Sequence, residues 1–363
     1  MYHFRKNIEA ISPYRPGKPV KEVERELGIK NSIKLASNEN AWGFSPKSKT
    51  AMEDAIKLAN IYPDSASFYL RQKISEFNKI PMENIVVGNG SNEILEIIMR
   101  TVLGENTNIV SSEYAFSIYG IIAQTCGATH IKTATKNYVP DIDTIIGACN
   151  DQTAIVIIDN PNNPTGSYVP YSEMKKLLDF THKNKIMLIA DEAYVEYVRA
   201  KDYKSIIDHF DRYENLVITR TFSKAYGLCG LRIGYGVGNK KIIDLAHKVR
   251  APFNVNMISQ YAGEAALGDQ DFVNFTVKHT HEGIDYLYTE LKELGIHCVP
   301  TQCNFIMFET PMDGKTFFDK LLRHGVIARP MLEYGLYKHI RLSVGTMDQN
   351  KKAVAAIREV INN

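Results

Sequence analysis

Short apolar runs alternate with helical patterns along most of the chain from about residue 85. The run ENIVVGNG (83–90) predicts a strand that ends in a glycine turn, and SNEILEIIMRTVL (91–103) carries its apolar residues at helical spacing. NTNIVSS (106–112) predicts a further strand, and IYGIIAQTCGA (118–128) predicts a helix that Gly127 closes. TAIVIID (153–159) has the continuous apolar character of a buried parallel strand.

The alternation continues through the second half of the chain. A predicted helix at 171–185 precedes predicted strands at 186–193, 215–220 and 231–237. Strands that alternate with helices favour a parallel, doubly wound sheet over roughly residues 35–265. A long helical pattern (282–295), strand patterns at 304–310 and 339–345, and a helix between them then predict a smaller α+β domain. The first ~30 residues predict an irregular arm with a short helix.

Composition narrows the class of protein. The 363 residues are 44% hydrophobic and 23% charged, which is ordinary for a globular protein with one or two domains. The formal net charge of +2 gives no basic field for nucleic acid. No apolar run is long enough to span a bilayer, and the N-terminus has no signal-peptide pattern, so we expect no membrane partner.

Cysteine and histidine usage points to a reduced compartment and to no metal. The five cysteines are odd in number and show no CxxC spacing, which predicts free thiols in a cytoplasmic protein. The ten histidines show no HExxH or similar ligand spacing.

Polar residues follow several predicted strands at the point where each one ends. GNGSNE opens a helix whose backbone N–H groups could hold a phosphate, and Asn163, Asp191, Tyr194 and Lys224 each follow an apolar strand. Any one of them could be a helix cap, a turn residue or a core residue. Because ligands bind at the carboxyl ends of strands in open α/β sheets, their joint occurrence predicts a site.

Nine stretches together resemble one enzyme family over nearly the whole chain. They are SPYRPGKP, KLASNEN, YPD, GNGSNE, PNNPTG, ADEAYVEY, TRTFSKAYGLCGLRIGYG, GVIARPM and IRLSVGT. The sequence resembles the fold-type I aminotransferases that depend on pyridoxal 5′-phosphate, and among them most the histidinol-phosphate aminotransferases. The resemblance implies an aspartate-aminotransferase-like α/β fold. It divides the chain into an arm and part of the small domain (1–33), a large cofactor domain on a mostly parallel sheet (34–265) and a small C-terminal α+β domain (266–363).

The resemblance also implies roles at the cofactor ring. Lys224 binds the cofactor covalently and, once released, moves the proton at the substrate's α carbon. Asp191 keeps the pyridine nitrogen protonated, so that the ring accepts electrons. Asn163 and Tyr194 donate hydrogen bonds to the phenolic oxygen of the ring.

A second group of residues matches the family's phosphate site. Arg232, Thr221 and Ser223 hold the cofactor phosphate together with the backbone N–H groups of Ser91 and Asn92. The family commonly has aspartate where this chain has Asn92, a change of little consequence if the backbone makes the contact.

Tyr114 matches the residue that stacks on the cofactor ring, although the sequence departs from the family at this point. The family usually has proline just before this tyrosine, whereas the chain has Ser-Glu. Phe116 therefore competes for the stacking role, and the sequence does not decide between them.

Four residues match the family's substrate site. Arg341 corresponds to the arginine that holds the α-carboxylate, and Arg329 resembles the additional arginine of the histidinol-phosphate branch. Two guanidinium groups suit a dianionic phosphate better than a single carboxylate requires. Tyr14 and Asn38 match N-terminal residues near the substrate.

Tyr62 matches a tyrosine that reaches the cofactor phosphate of a neighbouring subunit, so the resemblance implies a homodimer. The expected reaction exchanges an amino group between L-glutamate/2-oxoglutarate and imidazole-acetol phosphate/L-histidinol phosphate in histidine biosynthesis. An aromatic amino acid aminotransferase or a phosphothreonine decarboxylase on the same scaffold is the alternative. A non-catalytic regulator that senses the cofactor is a more distant one, since this N-terminus has no room for a DNA-binding segment.

Overall fold

The computed structural model describes residues 3–14 and 17–362, so Arg15 and Pro16 of the SPYRPGKP motif lie outside the described residues. The helices are α1 (Lys6–Glu9), α2 (Val20–Leu27), α3 (Pro46–Ala55), α4 (Phe68–Asn78), α5 (Gly90–Arg100), α6 (Ile118–Cys126), α7 (Ile142–Ala148), α8 (Tyr171–Lys183), α9 (Lys240–Val249), α10 (Met257–Leu267), α11 (Gln270–Glu293), α12 (Gly314–Arg323) and α13 (Met347–Asn362). Short 3₁₀ turns cover Ile56–Leu58, Met82–Asn84, Val195–Tyr197, Ile207–His209, Cys229–Leu231 and Leu332–Tyr334.

The strands are β1 (Ile33–Lys34), β2 (Ile85–Gly88), β3 (Asn108–Ser112), β4 (Thr129–Thr133), β5 (Thr135–Lys136), β6 (Val139–Pro140), β7 (Thr153–Asp159), β8 (Met187–Asp191), β9 (Leu216–Thr221), β10 (Gly234–Gly238), β11 (Cys298–Val299), β12 (Phe305–Glu309), β13 (Val326–Ile327), β14 (Arg329–Met331) and β15 (Leu336–Ser343). The strands and most of the helices that the sequence predicts are confirmed within a few residues. The exceptions are α11, which begins at Gln270 instead of near residue 282, and the N-terminal arm, which contains two helices, α1 and α2, instead of one. The sequence did not predict the helices α3, α4, α7, α9, α10 and α13. It also did not predict β4 and the β5–β6 hairpin, because short half-exposed segments carry little periodic signal.

Seven strands form the larger sheet, in the order β2-β10-β9-β8-β7-β3-β4. All neighbours in this sheet run parallel except at β10, which is antiparallel to both β2 and β9. The sheet is therefore mostly parallel, as predicted. One detail of the prediction is wrong: the strand predicted at 231–237 begins only at Gly234, because Arg232 adopts a left-handed backbone conformation with φ of 55°.

Helices bury both faces of this sheet. Along β7, Ile155 and Ile157 pack into the apolar cluster on one face, and Val156 and Ile158 pack into the cluster on the other. This arrangement explains why β7 reads as a continuous apolar run instead of an alternating one.

A second sheet of four antiparallel strands has the order β11-β12-β15-β14. Its apolar cluster includes residues of α11, α12 and α13, together with Val23, Leu35 and Ala36 from the N-terminal part of the chain. β1 pairs in parallel with β13 on the same side of the molecule. The segment after α2 therefore packs with C-terminal elements that lie some 300 residues further along the chain.

No helix within the described ranges has both the length and the apolar character needed to cross a bilayer. All five cysteines are free thiols.

Candidate active site

A cavity of about 400 Å³ lies where β7, β8 and β9 end, between the large sheet and the β14–β15 ladder. Its position is the one expected for a ligand site in an open α/β sheet. Most of the residues predicted from the sequence line it: Tyr14, Asn38, Ser91, Asn92, Asn163, Asp191, Tyr194, Thr221, Ser223, Lys224, Arg232, Arg329 and Arg341. Tyr62 and Tyr114 do not line this cavity, whereas Phe116 does.

Lys224 lies just beyond the end of β9 and points into the cavity. Its Nζ donates long hydrogen bonds to the carbonyl oxygens of Asn38 and Ser37, at 3.3 and 3.4 Å. Burial, together with the nearby positive charge of Arg341, lowers the pKa of the Lys224 amine to about 8. A larger share of the amine is therefore neutral, and nucleophilic, at physiological pH than in an ordinary lysine.

Asp191 is the last residue of β8 and lies on the floor of the cavity. Its Oδ2 accepts a hydrogen bond of 2.9 Å from the Tyr119 hydroxyl, while its Oδ1 is buried without a hydrogen-bond partner. Burial raises the pKa of the Asp191 carboxyl to about 6. A cationic N–H donor at Oδ1 would satisfy this oxygen and stabilise the charged carboxylate.

A second buried carboxyl lies beside Asp191. Asp159 ends β7 and is the register partner of Asp191, and burial together with that neighbouring charge raises its pKa to about 7. Asp159 accepts hydrogen bonds of 2.9 Å from Asn162 Nδ2 and from the Asn163 backbone N–H. Asp159 thereby fixes the PNNPTG loop at the edge of the cavity.

The start of α5 and Arg232 form a cradle of hydrogen-bond donors. Gly90 has φ of 77°, and a Cβ at this position would lie 2.4 Å from Arg232 Nη2. Gly234 of β10 allows an equally close approach, since a Cβ there would lie 2.5 Å from the Ser91 backbone nitrogen. Arg232 Nη1 donates to Ser223 Oγ at 3.2 Å. A helix N-terminus beside a guanidinium group is well suited to an anion such as a phosphate.

Tyr194 connects this floor to the N-terminal segment. The hydroxyl of Tyr194 accepts a hydrogen bond of 3.0 Å from Asn38 Nδ2, and Lys224 Nζ lies 5.5 Å from the centre of the tyrosine ring. Burial raises the pKa of the Tyr194 hydroxyl, so the group stays protonated and can donate a hydrogen bond. Asn38 is held in turn by Ser343, whose hydroxyl donates to Asn38 Oδ1 at 3.0 Å.

Two buried arginines form the opposite wall. Arg329 of β14 and Arg341 of β15 are register partners, so their side chains lie on the same face of the small sheet. Arg341 donates through Nη2 to the Ala36 carbonyl at 2.8 Å and through Nη1 to Asn163 Oδ1. Arg329 donates through Nη2 to Glu333 Oε1 at 2.8 Å. This wall is suited to bind an anionic group of a ligand.

The aromatic candidates for stacking separate clearly in the structure. Tyr114 packs against a small cluster with Tyr138 and Met331, and it does not line the cavity. Phe116 lines the cavity and lies edge-to-face against Tyr119, with ring centres 5.8 Å apart. The geometry therefore favours Phe116 over Tyr114.

Tyr62 lies on the surface. It is 80% exposed and stacks on Phe253 with ring centres 4.7 Å apart. Within a single chain it is no part of the cavity.

Several lining residues were not found by sequence reasoning, among them Tyr119, Asp159, Glu333 and Tyr334. Tyr119 and Asp159 belong to apolar segments that the periodicity assigns to core elements, and only the fold brings them to Asp191. Glu333 follows Arg329 by four residues, just beyond the matched stretch GVIARPM, and could have been noticed as a carboxylate beside a candidate anion site. No group of three or more metal-ligating side chains occurs in the part of the chain that the structure describes.

The chain is similar to known proteins over nearly its whole length. The sequence profile described as aminotransferase class I and II matches residues 30–357. Histidinol-phosphate aminotransferase 1 of Nitrosococcus oceani is 38% identical over 354 residues, which cover 98% of this chain and 95% of that protein.

Two solved structures are similar over nearly the whole chain. Histidinol-phosphate aminotransferase of Sinorhizobium meliloti, in complex with pyridoxal 5′-phosphate, superposes with a TM-score of 0.90 at 25% identity over 100% of this chain and 98% of that one. A single mutant of Thermus thermophilus aspartate aminotransferase superposes with a TM-score of 0.87 at 22% identity, covering 99% and 100% of the two chains. These likenesses confirm the predicted aspartate-aminotransferase-like fold. The chain belongs to the class I and II aminotransferase family, within which its relatives are histidinol-phosphate aminotransferases.

Proposed function

We propose that the protein is an aminotransferase that uses pyridoxal 5′-phosphate to exchange an amino group between L-glutamate/2-oxoglutarate and imidazole-acetol phosphate/L-histidinol phosphate. The observation that carries the proposal is the set of residues that line one cavity together. Lys224 shares it with Asp191, which has an unpartnered buried oxygen, and with the arginines Arg329 and Arg341. Family membership and the named relatives support the same reaction.

The residues of the cavity fit this cofactor. Asp191 Oδ1 needs a donor, and a protonated pyridine nitrogen supplies one. The cradle of Arg232, Ser223 and the α5 N-terminus is suited to the phosphate, and the close approach at Gly90 explains why no side chain stands there. Tyr194 and Asn163 would hold the phenolic oxygen.

We assign contact with the cofactor ring to Phe116, because it lines the cavity and Tyr114 does not. Thr221 and the backbone N–H groups of Ser91 and Asn92 complete the proposed phosphate site, with their side chains also in the cavity lining.

When bound, the cofactor supplies an electron-accepting ring next to the substrate's α carbon. The protein's part is to position groups and move protons. Lys224, with its lowered pKa, is the base that removes and returns the proton at the substrate's α carbon. Asp191 holds positive charge at the ring nitrogen, and Tyr119 orients Asp191 through its hydroxyl.

The paired arginines support a phosphate-bearing substrate. Arg341 would bind the α-carboxylate of glutamate or the phosphate of histidinol phosphate, which occupy corresponding positions in the two half-reactions. Arg329 adds a second guanidinium for the dianion, with Tyr14 packed on its face at 5.4 Å. Asn38 is placed between Lys224 and Tyr194, next to this substrate position.

We further propose a homodimer in which Tyr62 contributes to the cavity of the neighbouring subunit. The exposed apolar and aromatic residues around α3 and α4 form a surface typical of an interface: Ile56, Ile61, Tyr62 and Tyr69, which are 55–80% exposed.

The five free thiols are consistent with a cytoplasmic location. The division into segments 1–33, 34–265 and 266–363 stays a prediction.

Absorbance of the bound cofactor tests the reaction directly. Rapid mixing with glutamate and, separately, with histidinol phosphate should convert the cofactor in both cases, and phenylalanine or phosphothreonine should react far more slowly. A faster reaction with phenylalanine would overturn the proposed substrate.

Asp191→Asn should keep the fold but lose several orders of magnitude in rate, about 4 kcal/mol or more.

A further inference from the structure

Arg329 carries a carboxylate partner that Arg341 lacks. Glu333 stands on the 3₁₀ turn directly after β14, and its Oε1 accepts the 2.8 Å hydrogen bond from Arg329 Nη2. The hydrogen bonds of Arg341 go to an amide oxygen and to a backbone carbonyl, and no ion pair of Arg341 occurs within residues 3–14 and 17–362. The two arginines of the wall therefore differ in charge balance. An anion that reaches Arg329 meets a negative charge already in place.

Glu333 also borders a second cavity. This cavity has a volume of about 450 Å³ and lies beside α6 and β4, and Glu333 and Tyr334 line both cavities. The Glu333 side chain is about 30% exposed, so it is not locked by packing. The carboxylate therefore has space on the side away from Arg329.

The second cavity offers partners for a carboxylate. Its lining includes the buried Ser117 hydroxyl, which neighbours the hydroxyl of Tyr334. Lys132 also lines the cavity as an exposed residue of β4, and no ion pair of Lys132 is found in the described part of the chain. Burial lowers the pKa of the neighbouring His130 to about 4, which leaves Lys132 as the cation of this cavity at neutral pH. A hydroxyl and an ammonium that forms no ion pair are groups that can donate hydrogen bonds to a displaced carboxylate.

We propose that Glu333 is an exchangeable counter-ion of Arg329, which an anionic group of the substrate displaces toward Ser117 and Lys132. The inference rests on the proposed function, because it concerns the arginine assigned to the substrate phosphate. Glu333 keeps Arg329 paired when the cavity holds no anion. It weakens anion binding by the free energy needed to break the pair, and Lys132 offsets part of this loss.

Inorganic phosphate is the probe that tests the exchange. The holoenzyme is used so that the cofactor's own phosphate fills the α5 cradle, and binding is measured by isothermal titration calorimetry. Glu333→Gln keeps the size and a hydrogen-bond acceptor for Arg329 but removes the charge. It should tighten phosphate binding roughly threefold to tenfold, the range expected for one like charge at a partly exposed site. Unchanged or weaker binding would overturn the proposal, as would the absence of binding in both proteins.

Substitution of Lys132 provides a second measurement, in which phosphate binding should weaken instead of tighten. Lys132→Met should weaken phosphate binding roughly threefold, because Glu333 loses the cation that receives it. The same substitution in the Glu333→Gln background should have no effect. An equal loss in both backgrounds would mean that Lys132 acts on phosphate through space, and would refute the exchange. Lys248→Met, at the opposite edge of the large sheet next to β2, is the matched control.

The outcomes separate this inference from the proposed reaction. If histidinol phosphate fails as a substrate but the two substitutions shift phosphate binding as expected, only the proposed substrate is wrong. If histidinol phosphate reacts and neither substitution shifts phosphate binding, Arg329 has a fixed partner and the exchange is wrong.

Discussion

At the scale of single residues, the protonation of Lys224 follows from its neighbours. The amine is partly buried and shares the cavity with Arg341 and Arg232, whose positive charges disfavour a third. Its ordinary pKa of 10.5 is lowered to about 8, so the neutral, reactive amine accumulates as the pH rises through 8. The arginines that we propose for the substrate and the cofactor thus also lower the pKa of the lysine.

We expect the rate at which the apoprotein takes up pyridoxal 5′-phosphate to rise with pH around a midpoint near 8. The rise reports the loss of a proton from Lys224, and absorbance of the bound cofactor measures it. Arg341→Ala should move the midpoint upward, because it removes a charge that opposes protonation. A midpoint close to 10.5 in the unsubstituted protein would contradict the assignment.

We expect the two arginines of the wall to affect the two half-reactions differently. Arg341→Ala should slow both half-reactions, since glutamate and histidinol phosphate both place an anion there. Arg329→Ala should reduce kcat/KM for histidinol phosphate more than for glutamate, by a ratio of about tenfold to a hundredfold. That ratio corresponds to one charged hydrogen bond of roughly 1.5–3 kcal/mol.

Each half-reaction can be followed alone through the cofactor's absorbance, so the comparison needs no coupled assay. Equal losses for both substrates in Arg329→Ala would remove its phosphate-selecting role and favour an aromatic amino acid aminotransferase.

At the scale of elements, the site depends on where strands and helices stop. β7, β8 and β9 end on the same side of the sheet, and the register between Asp159 and Asp191 sets two carboxyls side by side. α5 begins against β10 only because glycines at positions 90 and 234 leave room. A substitution at one of these endpoints alters the cradle without replacing any of the residues that carry charge.

Gly90→Ala tests this dependence. The added Cβ would strain a backbone with φ of 77° and lie 2.4 Å from Arg232 Nη2, so Arg232 must shift. We expect the dissociation constant for pyridoxal 5′-phosphate to rise about tenfold or more, with a lower melting temperature.

Gly147→Ala is the matched control for that substitution. Gly147 lies in α7 with open space around a Cβ, so alanine should leave cofactor binding unchanged and stability equal or slightly higher. A similar loss of cofactor binding in both variants would show that the cradle does not depend on the geometry at Gly90.

At the scale of the whole molecule, the sequence predicted the mostly parallel sheet and most of the cavity lining. Asp191, Asn163 and Lys224 were found because each follows a strong apolar strand, and strand ends converge in such a sheet. The antiparallel direction of β10 was missed, because hydrophobic periodicity carries no strand direction.

The sequence could not predict the role of Tyr119 or the absence of Tyr114 from the cavity lining. The hydrogen bond from Tyr119 to Asp191 joins residues 72 positions apart, and no local pattern reports it. The sequence places both Tyr114 and Phe116 after β3. Only the structure shows that Tyr114 packs with Tyr138 and Met331, whereas Phe116 lines the cavity.

The proposed dimer predicts that two impaired variants restore activity when they are mixed, an effect that a monomer would not show. If Tyr62 completes the neighbour's cavity, Tyr62→Phe and Lys224→Ala homodimers should both be impaired, the second almost completely. A mixed dimer has one cavity with an intact Lys224 and an intact donated Tyr62. When equal amounts of the two variants exchange subunits at random, half of the dimers are mixed, and each mixed dimer has one complete cavity. About a quarter of all cavities should therefore be active when the cofactor is limiting. Activity that stays at the average of the two parents after subunit exchange, or a fully active monomer in sedimentation, would show that Tyr62 serves no neighbouring site.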